Sequence, residues 1–88
     1  MKILQQALTA YGEDAQIGAA LSATCKLTAT LHCYPYLHRR APEAVAEAIA
    51  DTEIMLGQLR LIVGEELVSE LKLQKLEKLA QQLQGKKP

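Results

Sequence analysis

The chain has no tryptophan and no phenylalanine; tyrosine, at three positions, is its only aromatic residue. With 49% hydrophobic residues, its interior must be built from leucine, isoleucine, valine and alanine. Small sheets draw on β-branched and aromatic residues, so an aliphatic interior points to packed helices. An excess of one charge is also missing: ten Lys and Arg balance ten Asp and Glu. No global field draws in a nucleic-acid duplex or an anionic membrane, and neither is an expected partner. No stretch approaches the roughly 20 uninterrupted apolar residues of a membrane span. P-loop, dinucleotide fingerprint, Cys-His dyad and Ser-His-Asp set are all absent from the sequence.

Cysteine is scarce, with only Cys25 and Cys33. On one helix their Cα atoms lie about 12 Å apart, too far for a mutual disulfide. Free, buried thiols in a reducing compartment are the expectation. The opening residues carry no long apolar run or small-residue cleavage site, so a cytoplasmic location is expected.

What remains reads as three main helices in one domain over residues 1–85, followed by a frayed tail at 86–88. The first helix runs over about residues 2–33 and is weakened near Tyr11-Gly12. Its apolar face is Ile17, Ala20, Leu21, Thr24, Leu27, Thr28 and Leu31, and Tyr34-Pro35-Tyr36 ends it. The second opens at Ala41-Pro42-Glu43 and reaches about Val63, where Gly64 stops it. Val45, Ile49, Met55, Leu56, Leu59, Ile62 and Val63 form one of its faces, but Ile54 and Leu61 point elsewhere. A helix apolar most of the way round is buried on several sides. Two flanking helices of one short chain do not enclose it, so oligomerisation must complete the fold, as a dimer or a tetramer. The third helix spans about residues 65–84 with a stripe of Leu67, Leu71, Leu73, Leu76, Leu79, Ala80 and Leu83.

The segment Ala50-Asp51-Thr52-Glu53-Ile54-Met55-Leu56-Gly57-Gln58-Leu59-Arg60-Leu61-Ile62 resembles the corresponding helix of the MazG-like all-α nucleoside triphosphate pyrophosphohydrolases, in particular their short, phage-type members. Tyr11-Gly12-Glu13-Asp14-Ala15-Gln16 and Lys75-Leu76-Glu77-Lys78-Leu79 extend the likeness. The resemblance implies an antiparallel all-α bundle of MazG-like type. It also implies Mg²⁺ held by a Glu-Glu-x-x-Glu motif on one helix and a Glu-x-x-Asp motif on the next. Residues at i, i+3 and i+4 share a helix face, and two such faces make an oxygen-lined cleft suited to Mg²⁺. Here the register puts Ser22, Ala23 and Lys26 at the three Glu positions of the first motif. The second motif becomes Ala48-Ile49-Ala50-Asp51, which keeps only its Asp. Lys26 places a positive charge where the cation would sit. No carboxylate occurs between Ala15 and Glu43, so a shift of register restores nothing.

Catalysis by the family's mechanism is therefore not expected, and no cofactor is expected either. The leading reading is a catalytically disabled relative acting as a binding or interaction scaffold, for a protein partner or a sequestered nucleotide. An alternative keeps the pyrophosphohydrolase activity with a relocated Mg²⁺ site on Glu43, Glu47 and Asp51. Another is a purely structural oligomer. Under the scaffold reading Lys26 forms a structural ion pair with Asp51, standing in for the missing cation. Lys26, Lys75 and Lys78 are the candidate ligand-binding cations, although Lys72, Lys75 and Lys78 also read as the solvated face of the last helix. The strip of Gly18, Ala19, Ser22, Ala23, Ala29 and Thr30 reads as a shallow groove or, preferably, as a site of close helix approach. His32, Cys33, His38 and Cys25 lack zinc-site spacing. His38-Arg39-Arg40 reads as a solvated loop.

Overall fold

Two glycines set the joints of this chain. Gly12 and Gly64 hold φ of 87° and 133°, backbone that residues with a Cβ rarely adopt. In the computed structural model, which describes residues 2–33 and 42–85, they help divide the chain into four helices. These are α1 (Lys2–Tyr11), α2 (Glu13–His32), α3 (Pro42–Val63) and α4 (Glu65–Gln84). No strand occurs among the described residues. The Gly12 amide donates to the Leu8 carbonyl at 2.8 Å, and its own carbonyl accepts from Gln16 at 3.2 Å. Gly64 repeats this, donating to Arg60 at 2.9 Å and accepting from Val68 at 3.2 Å. Each glycine thus closes one helix and opens the next while satisfying end groups that would otherwise be orphaned.

The single helix expected over residues 2–33 is accordingly two, because the left-handed turn at Gly12 redirects the chain. The redirected α1 packs on α3 at Gly57, where an added Cβ would lie 2.6 Å from Leu4 Cδ1. Ends expected at Val63 and Gln84 fall there. The expected stop at Tyr34-Pro35-Tyr36, the loop His38-Arg39-Arg40 and the tail 86–88 lie outside the described residues.

The main packing joins α2 to α3, and it is made of small side chains. Ala20, Ala23, Val45 and Ala48 are its buried apolar residues, with the polar Gln16, Thr52 and Gln58 buried among the rest. Thr52 suits this place because its hydroxyl donates to the Ala48 carbonyl at 2.8 Å, leaving the Ala23 carbonyl 3.5 Å away. Gln58 is 1% exposed, and its Oε1 has no hydrogen-bond partner among the described residues. An orphaned buried acceptor of this kind costs about 1–3 kcal/mol.

The face that α2 turns inward differs from the one its leucines suggest. Gln16, Ala20, Ala23, Leu27 and Thr30 face the bundle, whereas Ile17, Leu21 and Leu31 are exposed. On α3, Val45 is buried as expected, but Ile49, Leu56 and Val63 are exposed, as is Ile54. Two helices that meet on alanines come close together and leave their larger apolar residues outside the contact. Cys25 and Cys33 are free as expected, but both are exposed. Cys25 lies half a turn away from the face that meets α3.

Among the described elements α4 touches only α3, and none of its residues is buried. Arg60 clasps its start, donating through Nε to Glu65 Oε1 and through Nη2 to Ser69 Oγ. The radius of gyration is 16.3 Å, against about 12 Å for a compact domain of this length. The chain exposes 7146 Å², about 2,000 Å² more than a compact monomer of its mass.

Candidate functional site

One face of α2 and one face of α3 diverge into a groove of about 660 Å³. Ala19, Ser22, Ala23, Lys26, Ala29 and Thr30 line it from α2, spaced so that they share one side of the helix. From α3 come Ala44, Glu47, Ala48, Asp51, Ile54 and Met55 at the same spacing. The small residues read as a strip in the sequence are therefore mostly groove wall, and Ala23 is also part of the α2–α3 contact.

The charged groups of the groove are Lys26, Glu47 and Asp51, all exposed. They share a cavity but make no ion pair: among the described residues the only salt bridge joins Arg60 and Glu65. The Lys26–Asp51 pair is thus not formed within the isolated chain. Glu43 does not line the groove with Glu47 and Asp51. No group of three or more His, Cys, Asp or Glu side chains able to hold a metal ion occurs among the described residues. Two carboxylates facing an ammonium do not match the five carboxylates of the two MazG-like motifs, four of which are replaced here by Ser22, Ala23, Lys26 and Ala48.

Comparison with protein-family models, with curated proteins and with solved structures finds no match. Function has to be inferred from the chain's own geometry.

Lys75 and Lys78 are not brought to the groove of their own chain. Lys75 lies on α4 in a shallow depression with Val68, Leu71, Lys72, Leu76 and Leu79, and Lys78 is not part of it. Lys72 and Lys75 are exposed and stand on the same side of α4 as Val68, Leu71, Leu76 and Leu79. Helical angle shows why: at 100° per residue they fall between Leu71 and Leu76, above Val68 and Leu79. His32 is exposed at the end of α2, and His38 lies outside the described residues. No helix among the described residues is long and apolar enough to cross a membrane.

Sequence reasoning does not anticipate the buried Gln16, Thr52 and Gln58. A signal exists for Thr52 and Gln58. They continue the helical row through Val45, Ala48, Met55 and Leu59, so polar side chains stand where the period calls for a core.

Proposed function

We propose that this chain is a self-associating helical scaffold of MazG-like type whose cleft no longer supports metal-dependent hydrolysis. The MazG-like part is supported by register. The resemblance assigns Ser22, Ala23, Lys26, Ala48 and Asp51 to the walls of one cleft, and all five line the same groove. The loss of hydrolysis follows from the donor set, since two carboxylates beside an ammonium cannot clamp a cation and a triphosphate together.

One observation carries the scaffold reading: α4 is a 20-residue helix none of whose leucines is buried among the described residues. Leu67, Leu71, Leu73, Leu76, Leu79 and Leu83 are each 46–61% exposed. Most helical stability in proteins comes from tertiary packing of an apolar face, which α4 lacks within its own chain. The chain's formal net charge of zero offers no long-range repulsion between copies.

Sedimentation equilibrium over a wide concentration range, paired with calorimetric titration of Mg²⁺ and Mn²⁺, tests both parts. A dimer or tetramer with no saturable metal binding is the expected result. A monomer at every concentration overturns the scaffold. Saturable metal binding that disappears in Asp51→Ala restores the pyrophosphohydrolase reading. Binding of a non-hydrolysable nucleoside triphosphate without metal replaces the scaffold's protein partner with a sequestered nucleotide.

A further inference from the structure

We infer that α4 of one chain lies in the α2–α3 groove of a second copy, the two chains exchanging these arms about a twofold axis. The inference rests on the self-association proposed above and specifies which surfaces meet.

The chemistry of the arm restricts what can cover it. Its apolar depression carries Lys72 and Lys75 in the middle, between Leu71 and Leu76. A covering surface must give the leucines small side chains to seat on and the ammonium groups carboxylates to face. An uncharged apolar partner would strip water from two cations and return nothing. The groove supplies both requirements. Ala19, Ala23 and Ala48 are shallow sockets, and Glu47 and Asp51 stand one helical turn apart on its α3 wall. With Lys26 included, the residues lining the groove carry a net formal charge of −1, against +2 on the residues lining the depression of α4. The lengths also agree. Val68 to Leu79 covers about 16 Å of helix, as does Ala19 to Thr30 along the groove.

No residue of α4 lines the groove of its own chain, α4 contacts only α3 among the described elements, and the Arg60 clasp holds its start at Gly64. Pairing of two α4 stripes about their middle would set Lys72 and Lys75 against the same lysines, and the carboxylate on that face, Glu65, is already held by Arg60. Exchange makes both contacts twice. The chain's surplus surface of about 2,000 Å² exceeds the roughly 800 Å² per partner of a standard stable interface.

Charge reversal in two complementary variants tests the exchange. One carries Lys72→Glu and Lys75→Glu; the other carries Glu47→Lys and Asp51→Lys. All four positions are exposed in the single chain, so neither variant disturbs its core, and circular dichroism checks that helicity is retained. Each variant alone sets like charges together and should self-associate at least about tenfold more weakly than the unaltered chain. Mixed in equal amounts, the two should recover the dimer, as a heterodimer by native mass spectrometry, because each acidic face then meets a basic one.

If the unaltered chain dimerises but the variants do so equally well, arm exchange is wrong and self-association stands. Arm exchange is equally overturned if the variants dissociate and mixing does not restore them. A monomeric unaltered chain ends both proposals.

Discussion

The contact between α2 and α3 and the free face of α4 solve opposite problems. Where α2 meets α3, the buried apolar side chains are three alanines and one valine, so little apolar area is buried completely and close approach has to substitute for bulk. Along α4 the side chains are leucines, each able to contribute about 1.5–3 kcal/mol when fully buried, and none is buried. A chain of this size is already near the limit for a self-sufficient core. Its largest apolar residues lie on the surface its own fold leaves uncovered. Under the proposed self-association, the small-residue contact fixes the shape of the chain and the leucine-rich surface is what a second copy would cover.

Removing the leucines challenges this contrast most severely. Leu71→Ser, Leu76→Ser and Leu79→Ser together should weaken self-association at least about 100-fold by sedimentation equilibrium, since burial of large apolar side chains is the proposed driving force. Retained association would place the interface elsewhere. The α2–α3 contact should respond to the opposite change. Ala23→Leu inserts bulk where the helices are close and is expected to cost about 1–3 kcal/mol, read as a lower denaturation midpoint. The same Ala→Leu change at exposed Ala80 of α4 should not lower stability.

A subtler test addresses Gln58. Gln58→Met keeps a side chain of similar shape while removing the orphaned carbonyl oxygen, and should raise stability by about 1 kcal/mol in denaturant unfolding. A loss would reveal that the amide is satisfied in the assembled protein. The smallest effect belongs to Lys26. It is exposed and has no ion-pair partner among the described residues, so Lys26→Ala should change stability by no more than about 0.5 kcal/mol. A clear fall in Tm would indicate that the Lys26–Asp51 pair forms once the protein assembles.

Helix ends are legible in the sequence because their signals are local. Pro42 with Glu43 opens α3, Gly64 divides α3 from α4, and both glycine joints need a φ that other residues rarely reach. The groove is legible in part through the strip of small residues on α2, of which Ala19, Ser22, Ala23, Ala29 and Thr30 line it. Two features are not legible. Gly12 reads as a weak point in one long helix, and nothing in its neighbours announces a full turn. The inward face of α2 is hidden as well, because periodicity finds the row with the largest apolar side chains, here Ile17, Leu21 and Leu31. Packing keeps Ala20 and Leu27 of the expected face, leaves Ile17, Leu21 and Leu31 exposed, and adds Gln16, Ala23 and Thr30.

Residue order alone is enough to specify an all-helical chain, its punctuation, and an apolar content too large for its own fold to bury. Those properties depend on residue identity and on neighbours within a turn or two. Which faces meet is a matter of tertiary packing. So is the placing of Lys26, Glu47 and Asp51 in one groove without pairing, and of Lys72 and Lys75 among leucines. These outcomes depend on the direction each helix takes after a glycine joint. A rotation of 100° per residue turns a small error in that direction into a different face.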